Sequence, residues 1–319
     1  MLHFGASLRL IGRPPNVNLP GDNSGGAIGD IPGDNAAASE YNGLNFLDRA
    51  PQPHQSASLL KNSVLTIGIL GGMGPQAGID LATKIVSETD ASIDQDHIPV
   101  ILYGHPGIPD RTAFLFGKTS LNPAIAIASG LEKLSLAGAD VAGIACNTAH
   151  SPSIIGEVGR LLDEAGCDLK ILHLIGETVR ALTILLPNVK RVGVLGTKGT
   201  LKFRLYDEPL EKTGIAVIHP KDLDALNGAI FDPGYGMKGF SSPVSEKARK
   251  NVLRAVDDVI EQGAEAVILG CTELPLAVSG DYRAGIPLID PGQVLARALV
   301  SAAAPDRLRP PRVPLTSVE

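Results

Sequence analysis

The chain has 319 residues, room for about two domains, and its 44% hydrophobic and 19% charged content is ample for buried cores. A net charge of −6 without a basic cluster, and 4% aromatic residues without Trp, argue against nucleic acid as a partner. Three cysteines argue against a secreted disulfide scaffold, and no apolar run approaches the ~18 residues of a membrane helix.

Residues 1 to about 62 are rich in Gly, Asn, Pro and Ser, keep no sustained period, and read as a mostly disordered leader. Arg9 and Arg13 precede any acid, as in an organellar targeting segment, but Asp22, Asp30, Asp34, Glu40 and Asp48 follow. A cytoplasmic setting is expected, with organellar targeting as the alternative. Val64 to Leu70 is an apolar strand running into Gly71-Gly72-Met73-Gly74-Pro75, and Gly78 to Thr89 has helical spacing. Then come a strand (His97 to Tyr103), a helix (Pro123 to Leu136), a strand (Asp140 to Ala145) and a helix (Ser153 to Ala165). A strand (Lys170 to Leu174), a helix (Glu177 to Leu186), a strand (Arg191 to Leu195), a helix (201–212) and a strand (Ile215 to His219) follow. The series ends with a helix (Pro243 to Gln262), strands at Ala266 to Leu269 and Pro287 to Ile289, and a helix from Gly292 to about Ala303. The Pro-rich 305–319 reads as a loose tail. Strands alternating with helices predict an α/β fold of parallel sheets flanked by helices.

A repeat divides this series. Ile67-Gly68-Ile69-Leu70-Gly71 resembles Val192-Gly193-Val194-Leu195-Gly196, 125 residues later. At the same spacing, Ala137-Gly138-Ala139-Asp140 matches Gln262-Gly263-Ala264-Glu265, and Ile144-Ala145-Cys146-Asn147-Thr148 matches Leu269-Gly270-Cys271-Thr272-Glu273. One spacing shared by three motifs predicts two pseudo-symmetric domains with a cysteine at the same structural point in each.

Each of these cysteines follows an apolar strand and precedes a helix, so it sits at the carboxyl end of a parallel strand, where open α/β sheets bind ligands. Neighbouring helix N-termini and backbone N–H groups are expected to favour a thiolate. If the domains face one another, Cys146 and Cys271 flank one small cleft. Two thiols on opposite sides of a carbon suit a two-base proton transfer that inverts a stereocentre, because a thiol pKa near ~8.5 makes both proton forms reachable. The developing carbanion needs donors, for which Asn147, Thr148 and Thr272 are candidates. Free cysteine is also a common core residue, and Cys167, which has no repeat partner, is read as structural.

Together, Gly71-Gly72-Met73-Gly74-Pro75, Ile108-Pro109-Asp110-Arg111-Thr112, Cys146-Asn147-Thr148-Ala149-His150 and Gly270-Cys271-Thr272-Glu273 resemble the aspartate/glutamate racemase superfamily. The Pro-Asp-Arg-Thr segment points to its aspartate racemase branch, and the resemblance covers about residues 64 to 304. It implies two cysteines as opposed acid and base, no cofactor such as pyridoxal phosphate, an amino-acid or small diacid substrate, and a homodimer. It further implies that Met73 and Gly74 line the cleft and that Arg111 holds the substrate's side-chain carboxylate, with Asp110 orienting it. The last strand and helix are expected to return to the first domain, giving domains of 63–168 plus 288–304 and 169–287.

Around this set, His150 stands one helical turn after Cys146, to tune the thiol or to cap, and Glu273 stands beside Cys271, to orient the second site or to partner a helix dipole. The family's Lys follows an Ile-Tyr pair, whereas here Ile230-Phe231 is followed only later by Lys238. Either Lys238 reaches the distal carboxylate through a longer loop, or Arg111 holds it alone. His, Cys and Glu nowhere adopt zinc-ligand spacing, so no metal is expected. The reading is therefore a cofactor-independent racemase of aspartate, with glutamate second. Its rivals are a maleate cis–trans isomerase or another enzyme of a small diacid, and a non-catalytic amino-acid-binding regulatory protein.

Overall fold

The computed structural model describes residues 64–278 and 280–310; the expected leader over 1–62 and the end of the tail, 311–319, lie outside the described residues. Short, mostly apolar runs in which Ile and Val recur supply the strands. The first sheet consists of β1 (Ile67–Gly71), β2 (Val100–Gly104), β3 (Val141–Ile144) and β4 (Lys170–Leu172), all parallel, in the order β2-β1-β3-β4. The second consists of β5 (Arg191–Gly196), β6 (Ala216–Ile218), β7 (Ala266–Gly270), β8 (Tyr282–Arg283) and β9 (Ile286–Ile289), in the order β6-β5-β7-β9-β8. It is parallel except at its β8 edge.

The helices are α1 (Pro75–Glu88), α2 (Arg111–Leu115), α3 (Pro123–Leu136), α4 (Pro152–Glu164), α5 (Leu174–Leu185) and α6 (Lys198–Lys202). They continue with α7 (Asp207–Glu211), α8 (Leu223–Phe231), α9 (Glu246–Glu261), α10 (Leu274–Ala277) and α11 (Pro291–Ala303). Four of them open on a proline (Pro75, Pro123, Pro152, Pro291), where the missing N–H costs nothing. None in the described residues is long and apolar enough to cross a membrane.

Side-chain alternation shows what the 125-residue repeat encodes. In β1 and β5, Ile67, Ile69, Val192 and Val194 face one core shared by both sheets, whereas Leu70 and Leu195 face outward clusters. β3 and β7 repeat the division, with Val141, Ala266 and Ile268 inward and Ala142, Ile144, Val267 and Leu269 outward. Leu81 and Ile85 of α1, Leu174 and Val179 of α5, and Leu295 and Leu299 of α11 complete the shared core. Helices α3 and α4 cover the outer face of the first sheet, and α8 and α9 that of the second.

The repeated glycine is a packing requirement. A Cβ on Gly68 would lie 2.9 Å from the Ala139 Cβ, and one on Gly193 would lie 2.6 Å from Val259 Cγ2 and 2.9 Å from its Cβ. A branched side chain has no flexible end to move aside. Gly193→Ala is therefore expected to destabilise the fold by about 1–3 kcal/mol through overpacking. A lowered thermal midpoint with an unchanged far-UV spectrum is the measurement; an unchanged midpoint refutes the packing argument.

Three expectations need correction. The last strand does not join the first sheet: Leu288 and Ile289 pair with Val267 and Ile268, so β9 holds beside β7 the place that β4 holds beside β3. Only its helix, α11, crosses over, to pack on α1 and α5. The helix expected over 201–212 is two short ones, because the chain passes through the left-handed region at Arg204 (φ 52°). The tail is fastened at its start: Leu308 bridges to Thr89, the Arg309 N–H donates to the Glu88 carbonyl at 2.9 Å, and the Arg307 guanidinium donates to the Asp96 carbonyl at 2.5 Å.

Candidate active site

Cys146 and Cys271 lie just beyond the carboxyl ends of β3 and β7, in turns closed by the same bond: Cys146 N–H donates to Ile144 O at 2.8 Å, and Cys271 N–H to Leu269 O at 2.9 Å. The loop after β1 bends over the same end. Gly72 takes a φ of +98°, and a Cβ there would lie 2.3 Å from the His105 carbonyl carbon, so the loop closes only with glycine. One narrow cleft results. Both cysteines line it, with Met73, Asp110, Arg111, Asn147, Thr148, Lys238, Thr272 and Glu273. Gly74 adjoins it, its N–H donating to Glu273 Oε1 at 3.1 Å. Both sheets thus contribute to one site, and both thiols are buried.

The charged groups form a connected chain. Lys238 Nζ donates to the Met73 carbonyl at 2.6 Å and pairs with Glu273 Oε1. The other oxygen, Oε2, accepts from Cys271 Sγ at 3.0 Å and from Thr272 Oγ1 at 3.3 Å. Arg111 Nη2 donates to the same Met73 carbonyl at 3.1 Å, so two cations converge on one backbone oxygen. Nη1 is held by the carbonyls of Pro109 (3.0 Å) and Ile108 (3.3 Å), whereas Nε is buried with no partner among the described residues.

Burial pushes the Cys271 thiol well above its ordinary range and the Glu273 carboxylate adds to this, against the pull of Lys238. Burial opposes the charge on Glu273 too, but Lys238 and the bonds it accepts hold its carboxyl below the ordinary value. For Lys238, burial likewise opposes the charge, while Glu273, followed by the two thiols, raises its pKa overall. Among the described residues, no group of three or more His, Cys, Asp or Glu is placed to hold a metal ion.

Several neighbours act otherwise than expected. The expected thiolate at Cys271 is reversed by burial and by the acid beside it. Asp110 does not orient Arg111: its carboxylate caps α2, accepting from Ala113 N at 3.0 Å. His150 reaches the Cys146 carbonyl (Nδ1 to O, 2.8 Å) rather than the thiol. Burial lowers its pKa to about 3, so it is a neutral brace. Three residues of the site's surroundings were not foreseen. Thr197 and Thr200 stand each 3.4 Å from the Thr148 hydroxyl, and Tyr206 donates to Asn147 Oδ1 at 2.5 Å. No local motif marks them, because their partners lie 49 to 59 residues away.

A family model described as Asp/Glu/Hydantoin racemase matches residues 70–299. The broad specificity amino-acid racemase RacX of Bacillus subtilis (strain 168) is 29% identical over 244 residues, which span 74% of this chain and 96% of RacX. The solved aspartate racemase of Picrophilus torridus is 32% identical with a TM-score of 0.64, over 75% of this chain and 94% of that one. Likeness of fold alone extends to the glutamate racemase of Francisella tularensis subsp. tularensis SCHU S4 (TM-score 0.51, 20% identity, 75% of this chain and 80% of that one).

Proposed function

The chain belongs to the Asp/Glu/Hydantoin racemase family, and on that premise we propose that it is a cofactor-independent racemase of acidic amino acids, aspartate first. The observation that carries this reading is the convergence of two thiols from equivalent turns on one cleft. One thiolate removes the Cα proton from one face; the opposite thiol delivers a proton to the other face. The electron pair left by the first C–H bond forms the second, and the enzyme ends with the protonation of its two sulfurs exchanged. The return reaction restores them, so no other reactant is consumed.

Cys271 suits the delivering role in the resting protein, since burial keeps it a thiol. Asn147, Thr148 and the turn at Thr272 surround the α-carboxylate, where negative charge grows as the proton leaves. Arg111 and Lys238, gathered at the Met73 carbonyl, form the cationic end that takes the distal carboxylate. A guanidinium with an unpartnered buried N–H suits that anion. This cationic end favours a diacid, and the P. torridus relative is an aspartate racemase; glutamate is the second substrate to assay. The cytoplasm and a homodimer belong to the same reading.

Incubating the purified full chain with L-aspartate in D2O is the test. Loss of optical rotation should accompany deuterium at Cα. Neither racemisation nor exchange with aspartate or glutamate refutes the proposal, and conversion of maleate to fumarate would replace it.

A further inference from the structure

Tyr206 lies between α6 and α7, fully buried, and touches the turn beside each thiol. Its hydroxyl donates to Oδ1 of Asn147, the neighbour of Cys146. Its ring lies against Gly270, the neighbour of Cys271, where a Cβ would fall 3.1 Å from Tyr206 Cε2. Burial pushes its phenol far above the ordinary range, so this hydroxyl always carries its proton and acts as a donor. With its oxygen engaged, Asn147 is left with an Nδ2 that is buried and has no partner among the described residues. An unpaired buried amide N–H is costly, and Asn147 lines the cleft.

We infer that Tyr206 is a positioning residue that locks the Asn147 amide so that Nδ2 donates to an oxygen of the substrate's α-carboxylate. The inference rests on the reading in which Asn147 meets that carboxylate. An amide free to turn would have to be oriented by the carboxylate on binding, because its oxygen and the carboxylate repel. In the structure the phenol gives its hydrogen to Oδ1, and turning the amide over would break that bond. The two sheets are thereby coupled: the second supplies the hydroxyl that orients a donor of the first.

The test is a double-mutant cycle on the full chain, with kcat and KM for aspartate measured separately. Tyr206→Phe keeps the ring against Gly270 and removes only the donor. It should lower kcat/KM about ten- to a hundredfold, the range of one hydrogen bond to a charged group. In an Asn147→Ala background, Tyr206→Phe should cost almost nothing more. Additive losses overturn the inference, since a merely structural tyrosine weakens both backgrounds alike. A second readout does not require turnover. The side-chain NH2 signals missing from the 15N spectrum of Asn147→Ala are those of Asn147; they should move in Tyr206→Phe, and unmoved signals refute the positioning role. This separates the two claims: a wild-type protein inert towards aspartate sinks the proposed reaction, while the spectrum still decides what Tyr206 does. Should Tyr206→Phe fail to fold, Asn147→Asp decides. It still accepts the phenol hydrogen but offers no N–H, so retained activity refutes the inference and a loss of at least tenfold supports it.

Discussion

Replacing Cys146 or Cys271 by serine, one at a time, is expected to lower racemisation of aspartate by about 10²–10⁴-fold, the range of a lost general acid or base. Serine nearly matches cysteine in shape but is the more polar of the two at these buried positions, so a modest fall in the thermal midpoint is expected, far too small to account for the loss of activity. What changes is proton affinity: a hydroxyl ionises far above working pH, whereas a thiol near ~8.5 is within reach of both forms. Each direction uses one sulfur to take the proton and the other to give it, so either substitution should slow D-to-L and L-to-D conversion together. A polarimetric assay in both directions, with Cα deuterium followed by NMR, checks this. A variant that still racemises at the wild-type rate removes its cysteine from the mechanism. A non-catalytic binder predicts a different result: wild type and both serine variants would bind aspartate equally and exchange no proton.

Both the pairing of the thiols and the α/β alternation were legible in the sequence, because the repeat is written in packing residues. Gly68 and Gly193 mark where a strand must approach Ala139 or Val259, and Cys146 and Cys271 follow at a fixed distance along the next equivalent strand. Less legible was whatever depends on contacts between distant segments. β9 reads as a strand, but nothing local tells that its partner is β7. Helix α8, capped by Asp222, was missed because Asn227 and Gly228 interrupt an otherwise apolar run. The state of Cys271 was misjudged for a related reason. Glu273 is visible two residues on, yet the thiol's preference follows chiefly from burial, which no local motif shows, and it holds against the pull of Lys238, 35 residues from Glu273 in sequence. The same distance hid the tie between Tyr206 and Asn147.

Removing that lysine should have the largest effect on stability of any charge in the site. Lys238→Met leaves the Glu273 carboxylate, which is 1% exposed, without its cation. Breaking a buried pair from one side costs about 3–5 kcal/mol. The lower end is expected here, because the Lys238 side chain keeps 22% exposure and Glu273 retains its bonds from Gly74 and Cys271. Adding Glu273→Gln should recover much of the loss by removing the orphaned charge. The pH dependence gives the sign. In the wild type the carboxyl is depressed below its ordinary value of 4.5. Its contribution is therefore present above pH 4.5 and lost as pH falls through the folded value. The ammonium is raised above 10.5, so its share is present below that pH and lost as pH rises through the folded value. In Lys238→Met, burial acts on Glu273 without the opposing cation and drives its pKa upward. The variant then suffers most at neutral pH and is relieved as acid protonates the carboxyl. Urea unfolding should thus show a wide gap between wild type and variant at pH 7 that narrows towards pH 4. A gap of equal width at both pH values would mean that Lys238 stabilises by packing alone. Activity should respond in parallel: without the ammonium the Cys271 thiol loses a cation that draws its pKa down, and the thiolate-dependent limb of the rate profile should move to higher pH.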